Sequence, residues 1–271
     1  MKDGEMTFWD HLGELRKALL KAAAVTAVTT VVAFCFMPSI FDKVILAPCH
    51  ATFPLYGWID SLSKSWGGDL PGFSSGSFDI DLINTEVSQQ FMTHMSTSFW
   101  VGLIAAFPMV IFFLWRFVAP GLYEKEKRGA KRAFFFGNLM FLAGVAAGYF
   151  VIFPITFRFL VTYELSASVN NMISLESYID LFVTMILVMG VVFELPLLAW
   201  LLGRIGILSR SFFRRYHRHA IMVLLILAAL ITPTGDPFTL MVVFLPLIAL
   251  WEFSTILVPK AEDDTGRNDE K

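Results

Sequence analysis

The sequence predicts an all-α polytopic membrane protein with six transmembrane helices. Of its 271 residues, 56% are hydrophobic and only 16% are charged, far from the composition of soluble domains. The charged residues are confined to a few clusters, and the apolar windows between them are about 20 residues long, as a helix needs to cross ~30 Å of hydrocarbon. We expect one membrane domain over residues 1–258, with transmembrane helices at about 18–37, 95–118, 130–153, 179–202, 220–231 and 238–258.

The first transmembrane helix has an amphipathic entry. Phe8, Leu12, Leu15 and Leu19 recur at steps of four, three and four residues, which places them on one helix face. We expect these turns to lie along the membrane surface before the chain enters the bilayer. The helix is predicted to end at Pro38, because proline interrupts the helical hydrogen-bond pattern.

Residues 38–94 are predicted to form a long external loop. The segment is rich in glycine and serine, as loops are, and its acids outnumber its bases. Cys35 lies before this loop and Cys49 within it. Because the two cysteines lie at different depths, we expect no disulfide between them, and their spacing does not suit a metal site. The second transmembrane helix is expected to bend at Pro108.

A short polar hinge, residues 120–128, follows the second helix and is crowded with bases. Glu124 has Lys127 and Arg128 three and four residues ahead, the spacing at which a helix pairs opposite charges. Glu126 has no base at those positions. If a helix begins near residue 123, Glu126 is a carboxylate in a positive neighbourhood, available to a partner from outside.

The third and fourth helices carry two further signals. Gly144 and Gly148 have the spacing of a small-residue packing face, although such pairs are also common by chance. Glu194 lies inside the fourth helix, where its helical neighbours are apolar. A carboxyl group at that depth is costly, so it is expected to be protonated, to face a wet cavity, or to meet a polar group on another helix or another protein. A hydrogen bond that serves packing alone is the alternative. Pro196 is expected to kink this helix.

The fifth and sixth helices are joined by residues 232–237 only, which predicts a short antiparallel hairpin. The fifth helix is short, so a thinned bilayer or a recessed hairpin is expected there. Asp236 is interpreted as a turn residue. His217, His219 and the arginines of residues 204–218 are interpreted as a solvated face, with the arginines setting orientation and contacting lipid headgroups.

The distribution of positive charge predicts the orientation. Lys and Arg are concentrated on one side, with 18 of the 21 in the amino-terminal segment, residues 116–132, residues 204–218 and the tail. By the positive-inside rule, both termini and the hinge are expected to be cytoplasmic. The acidic tail, residues 259–271, is expected to be a disordered cytoplasmic end.

The sequence carries no signal for catalysis. It contains no His-Glu-x-x-His, Gly-x-Ser-x-Gly or Gly-x-x-x-x-Gly-Lys motif, and no histidine lies inside a predicted transmembrane helix. An ATPase or an intramembrane protease is therefore disfavoured, and we expect neither a cofactor nor a nucleic-acid partner.

Five stretches, in the same order along the chain, resemble the TatC family, the core receptor subunit of the twin-arginine protein translocase. Residues 8–17, Phe-Trp-Asp-His-Leu-Gly-Glu-Leu-Arg-Lys, resemble the family's amino-terminal "hxxHLxELRxR" segment. The other matches are Ala47-Pro48, Trp115-Arg116-Phe117-Val118-Ala119-Pro120-Gly121-Leu122-Tyr123 with Glu126, Phe193-Glu194-Leu195-Pro196, and Leu230-Ile231-Thr232-Pro233 leading to Asp236. The resemblance extends over nearly the whole chain, from about residue 7 to 258.

The resemblance implies a signal-peptide site at the cytoplasmic face. Glu126 and Glu14 are the acids that would receive the two arginines of a signal peptide, with Phe117 and Arg16 in the same patch. Two arginines need two acids, and Glu14 is the less free of the pair because Lys17 lies three residues ahead.

The resemblance also implies the remaining roles. Glu194 would face a cavity or a partner helix, while Pro48, Pro120, Pro196 and Asp236 would be structural. The expected partners are TatA-like and TatB-like single-span proteins, twin-arginine signal peptides, the lipid bilayer and further copies of this chain. The implied location is the inner membrane of a bacterium, and the implied energy source is the proton-motive force.

The sequence departs from the family pattern at two positions. Ala18 stands where the family usually has a second base, and Leu240 where a glutamine is common, so those two roles are not carried over.

Two alternative functions remain. A small proton-coupled secondary transporter that uses Glu194 as its proton site is the first alternative. A passive assembly anchor, in which Glu126 is replaceable, is the second.

Overall fold

The computed structural model describes residues 8–65, 78–118, 124–166, 168, 171–204 and 206–258. Over these residues the chain is mostly helical. The helices are α1 (Phe8–Ile40), α2 (Pro54–Ser65), α3 (Gln89–Val118), α4 (Glu124–Ala147), α5 (Phe153–Thr162), α6 (Leu175–Val192), α7 (Leu195–Arg204), α8 (Arg210–Arg215), α9 (His217–Ile231) and α10 (Pro237–Leu257). Two short strands, β1 (Leu82–Ile83) and β2 (Ile173–Ser174), pair in parallel.

Among the described residues, five helical segments are long and apolar enough to cross a membrane: Leu12–Cys49, Gln89–Leu114, Phe135–Thr162, Leu175–Arg204 and Pro237–Leu257. The helical membrane protein predicted from composition is therefore confirmed. Helix α9 has 15 residues and spans only about 22 Å at 1.5 Å per residue, short of a full crossing. The count of six transmembrane helices and the orientation of the termini stay predictions, and the predicted disordered tail lies outside the described residues.

The chain divides into two compact units, one within residues 1–47 and 84–138, the other within residues 48–83 and 139–271. The predicted single domain is not tested by this division and stays a prediction. In the first unit, α1 and α3 pack against each other as antiparallel helices. Thr29 Oγ1 donates to the carbonyl oxygen of Gly102 at 2.8 Å, and His94 Nε2 lies 3.1 Å from the carbonyl oxygen of Phe34.

Helix α1 does not end at Pro38, and that prediction was wrong. It continues through the proline to Ile40 and into a π-helical turn, Phe41–Ile45. A proline leaves the carbonyl four residues earlier without its helical donor, and here that carbonyl belongs to Phe34. The imidazole of His94 supplies the missing donor and stacks on the Phe34 ring, with centroids 4.1 Å apart.

Helix α3 begins at Gln89, six residues earlier than predicted. The polar residues at its start read as a loop in the sequence, but their side chains bond within the unit. Thr85 N and Oγ1 donate to Gln89 Oε1, and Ser98 Oγ donates to the carbonyl of His94 at 2.6 Å. Because these polar groups are satisfied, a polar stretch extends the helix.

In the second unit, the described part of the segment predicted as a long external loop contains regular elements. It contains a 3₁₀ turn, Ala47–Cys49, helix α2 and strand β1, and residues His50 and Asp79 form an isolated antiparallel bridge. Strand β1 pairs with β2 some 90 residues later in the chain, with Leu82 opposite Ile173. Neither strand has a sequence signal of its own, since each is two residues long. Cys35 and Cys49, both described, are free thiols, as predicted.

The helical path of the third predicted transmembrane segment continues past Pro154. Helix α4 passes into a π-helical segment, Gly148–Ile152, and then into α5, where Pro154 lies in the first turn. The π-helical segment directly before Pro154 is where the continuous helical path accommodates the proline. Arg158, which lies between the third and fourth predicted transmembrane helices, is part of α5 and only 2% exposed.

Close packing between α4 and α6 depends on glycine. A Cβ atom at Gly144 would collide with the carbonyl oxygen of Met189 and lie 2.9 Å from Gly190 Cα. A Cβ atom at Gly148 would lie 2.9 Å from Ile186 Cα. The small-residue spacing seen in the sequence therefore marks a real helix contact.

Candidate functional site

The contacts between α1 and α3 define which residues lie opposite each other. Phe34 contacts His94, and Thr29 contacts Gly102. The residue numbers of two residues that face each other across α1 and α3 therefore sum to about 130. Extended along two antiparallel helices, this register places Glu14 opposite Arg116. The two side chains are indeed close enough for their charges to interact.

Glu14 is surrounded by bases at the start of α1. Lys17 Nζ donates to Glu14 Oε1 at 2.8 Å, and both side chains are well exposed to solvent. Such an exposed pair contributes little to stability, so an incoming guanidinium can displace the lysine. Arg16 is exposed on the same helix, and Phe117, next to Arg116 at the end of α3, is half-buried.

Glu126 lies in the first turn of α4, which begins at Glu124, close to the start predicted from the sequence. The described residues do not include its side chain, and Pro120 also lies outside them. Only six residue steps separate the end of α3 from the start of α4, which limits that separation to about 22 Å. That the carboxylates of Glu126 and Glu14 lie close together stays a prediction.

Taken together, this end of the first unit offers an exposed carboxylate, a half-buried aromatic ring and several bases. A carboxylate in this setting accepts a guanidinium through two parallel, charge-assisted hydrogen bonds. Arg116 is the neighbour that the sequence analysis did not single out. Arg116 can be identified only from the antiparallel register of α1 and α3, and that register is known only once the two helices are seen to pack together.

Glu194 lies at a break in the helical path of the second unit. Phe193 and Glu194 form a turn between α6 and α7, two residues before Pro196, where a kink was predicted. The carboxyl atom Oε1 of Glu194 is buried and has no hydrogen-bond partner among the described residues. A buried polar atom without a partner costs about 1–3 kcal/mol, so this carboxyl group is suited to meet a polar group from outside the chain.

Pro48 is buried in the 3₁₀ turn and helps to organise a polar and aromatic cluster in the second unit. Its carbonyl oxygen accepts a hydrogen bond from Tyr56 Oη at 2.8 Å. Burial raises the pKa of the Tyr56 phenol, so the hydroxyl remains a donor. The guanidinium of Arg158 lies 4.5 Å from the ring centre of Tyr56 and 4.6 Å from that of Phe78. The sequence analysis missed this cluster because its members are far apart in the chain.

Asp236 is the N-cap of α10 rather than a simple turn residue. Its Oδ1 accepts from Thr239 N at 2.7 Å and its Oδ2 from Thr234 Oγ1 at 2.6 Å. Burial alone would raise the pKa of Asp236, but the hydrogen bonds from Thr234 and Thr239 outweigh it and hold the pKa below its ordinary value. The residue stabilises the first turn of α10.

His217, interpreted from the sequence as part of a solvated face, has a partner. Its Nδ1 lies 3.0 Å from Glu252 Oε1 on α10. Both side chains remain partly exposed, so the pair lies at the edge of the helix contact between α9 and α10.

Comparison with known proteins gives a consistent result. The family model described as Sec-independent protein translocase protein (TatC) matches residues 10–246. The protein of that name from Blattabacterium sp. subsp. Periplaneta americana is 32% identical over 250 residues, covering 92% of this chain and 94% of that protein. The one from Deinococcus radiodurans is 32% identical over 249 residues, covering 92% of this chain and 84% of that protein.

The fold also resembles solved structures. A crystal structure of the twin arginine translocase receptor TatC superposes with a TM-score of 0.70 at 24% identity, covering 91% of this chain and 97% of that one. A second crystal structure of that receptor, in DDM, gives a TM-score of 0.73 at 23% identity, covering 92% and 99%. At this level of identity the likeness concerns the fold alone.

Proposed function

Because the chain belongs to the TatC family of Sec-independent protein translocase proteins, we propose that it binds twin-arginine signal peptides at the cytoplasmic face of a bacterial inner membrane. It is then a receptor and a scaffold rather than an enzyme. TatA-like and TatB-like single-span proteins assemble with it, and the proton-motive force drives the export of folded proteins.

The observation that supports the proposal is the carboxylate of Glu14 among bases at the end of the α1 and α3 pair. Lys17 pairs with this carboxylate, and the charges of Lys21 and Arg116 are also nearby, so an exposed, replaceable cation lies in front of it. Glu126, in the first turn of the following helix, is the second acid of the proposed site. Two carboxylates match the two guanidinium groups of the ligand in number, and each carboxylate can accept a guanidinium through two parallel hydrogen bonds.

The orientation belongs to the same proposal. With 18 of 21 lysines and arginines on one side, the positive-inside rule favours cytoplasmic termini. The proposed site is then on the side where newly made precursors arrive.

Two neighbouring acids make a matched test. Glu126→Ala is expected to abolish export of a folded reporter with a twin-arginine signal, while a Sec-dependent reporter is unaffected. Its affinity for a twin-arginine peptide should fall about tenfold or more, as expected for one lost charge-assisted bond. Glu124→Ala removes the same charge two residues away, from a position whose spacing suits Lys127 and Arg128, and should export normally. Equal export by the two variants would remove Glu126 from the site.

We propose a second role for Glu194, as the polar contact of a partner helix within the membrane. Its Oε1 has no partner among the described residues, which supports this role. Glu194→Gln should then reduce co-purification of a TatB-like partner while leaving peptide binding intact. The transporter alternative starts from the same carboxyl group. It requires the variant to lose proton-coupled solute uptake with export unchanged.

A further inference from the structure

The junction of α8 and α9 forms a concentrated basic surface. Residues 204–219 contain five arginines, two histidines and no acid. Arg214, Arg215 and Arg218 are exposed, whereas Phe213, which directly precedes them, is 3% exposed and packs on Trp251, with ring centres 4.6 Å apart. Phe213 therefore anchors the junction to the second unit while the arginines face away from it. We call Arg214, Arg215 and Arg218 the arginine corner.

Aromatic side chains accompany the arginine corner. Phe212 and Tyr216 are exposed to 39% and 40%, and their ring centres lie 4.7 Å apart. The guanidinium of Arg215 lies 5.9 Å from the Tyr216 ring centre. Exposed aromatic rings beside basic residues are typical of the headgroup layer of a membrane.

An apolar stripe begins where the arginine corner ends. Arg218, Met222, Ile226 and Leu230 follow each other at steps of four on α9, which places them on one helix face. The three apolar residues are exposed to 64%, 66% and 82%. The stripe is about 18 Å long at 1.5 Å per residue, slightly more than half the thickness of the hydrocarbon core. A single phospholipid molecule matches this arrangement, because it has an anionic phosphate followed by an acyl chain that reaches the middle of the bilayer.

A cavity of about 300 Å³ lies beside the arginine corner, lined by Phe213, Arg214, His217, Glu252 and Thr255. The carboxylate of Glu252 lines this cavity and would repel an anion bound there. That carboxylate lies 3.0 Å from His217 Nδ1 and is directed toward the imidazole. The exposed arginines at the corner are left to face the headgroup layer.

We propose that the arginine corner binds the phosphate of an anionic phospholipid whose acyl chain lies on the Met222, Ile226 and Leu230 stripe. The short α9 favours this arrangement, because a helix of about 22 Å draws the headgroup layer toward the bilayer centre. The arginine corner shares no residue with the proposed peptide site, so the two proposals are tested separately.

Native mass spectrometry of the purified full chain tests the proposal. The probe lipids are phosphatidylglycerol, with one net negative charge, and phosphatidylcholine with the same acyl chains. Each arginine removed should lower retention of phosphatidylglycerol about fivefold, so the double variant Arg215→Gln and Arg218→Gln should lose most of it. Phosphatidylcholine retention should not change. The control double variant, Lys21→Gln and Lys43→Gln, removes two exposed bases elsewhere and should retain phosphatidylglycerol like the wild type.

A second pair of variants tests the stripe. Met222→Ala with Ile226→Ala should weaken binding of long-chain phosphatidylglycerol but not of its water-soluble dihexanoyl form, which still reaches the arginines. Equal retention of phosphatidylglycerol by the arginine variant and its lysine control would overturn the proposal. So would an arginine variant that keeps its lipid but loses a co-purified partner protein, because the corner would then be a protein-docking surface.

Discussion

A single methyl group on Gly144 is expected to destabilise the second unit. Gly144 lies in α4 where α6 passes closely. Its added Cβ would overlap the carbonyl oxygen of Met189, and it would lie 2.8 Å from Phe193 Cβ and 2.9 Å from Gly190 Cα. Two of these three atoms belong to the backbone of the neighbouring helix, which cannot rotate out of the way. The helices would have to move apart.

The expected cost follows from two opposing effects. Overpacking of a rigid contact costs about 2–3 kcal/mol, the upper part of the usual range. Alanine is a better helix former than glycine by about 1 kcal/mol, which offsets part of that cost. The net destabilisation by Gly144→Ala is therefore about 1–2 kcal/mol, or a few degrees in Tm for a chain of this size.

Thermal unfolding of the purified chain in detergent, followed by tryptophan fluorescence, measures the effect. Gly57→Ala is the matched control. Gly57 lies inside α2, and nothing lies within 4 Å of a Cβ placed there. The control should be stabilised by about 0.5–1 kcal/mol, so the two substitutions should shift Tm in opposite directions. A rise in Tm for Gly144→Ala comparable to that of the control would refute the close-packing argument.

Three further predictions concern polar groups. Asp236→Ala should destabilise the chain by about 1 kcal/mol at pH 7 through loss of the N-cap. Because the folded-state pKa of Asp236 is held below its ordinary value, the wild type loses this contribution as the pH falls through that pKa. Tm curves of the wild type and the variant that do not converge in acid would contradict the assignment. Glu194→Leu should raise the stability of the isolated chain by about 1–3 kcal/mol, since a buried carboxyl without a partner is removed; a lower Tm would mean that the carboxyl is satisfied within the chain. His94→Phe should lower the free energy of unfolding by about 1 kcal/mol, because the Phe34 carbonyl loses its donor. Pro38→Ala restores the backbone donor, so in a Pro38→Ala background the His94→Phe substitution should cost little. An undiminished cost in that double variant would assign the effect to something other than this hydrogen bond.

Most element positions could be predicted because apolar helices long enough to cross a membrane are set by local composition. The predicted end of the first transmembrane helix failed because Pro38 was read as a stop signal, and the third helix also continues past its predicted end. Pro38 lies inside α1 and Pro154 in the first turn of α5. At Pro38 the carbonyl that lacks a backbone donor is satisfied by His94, 60 residues away, and before Pro154 the helix changes its type.

The candidate site could be predicted only in part. The charge spacing identified Glu126 as a carboxylate without a local helical partner, and the family motif supplied Glu14. Neither indicated that Arg116 stands opposite Glu14, because that neighbour is determined by the register between two helices. The role assigned to Glu126 stays a prediction.

By itself, the sequence determined the class of the protein, the approximate positions of its membrane helices and the family to which it belongs, because hydrophobicity, charge clustering and motif order are local properties of the chain. Only the tertiary structure decided how a proline inside a helix, a close helix contact and a buried charge are accommodated. The hydrogen bond from His94 to the Phe34 carbonyl, the contact of Gly144 with α6, and the contacts of the Arg158 guanidinium with the Tyr56 and Phe78 rings each join residues that are remote in sequence. The physical reason is that buried backbone and charged groups need partners, and those partners become neighbours only once the helices have packed.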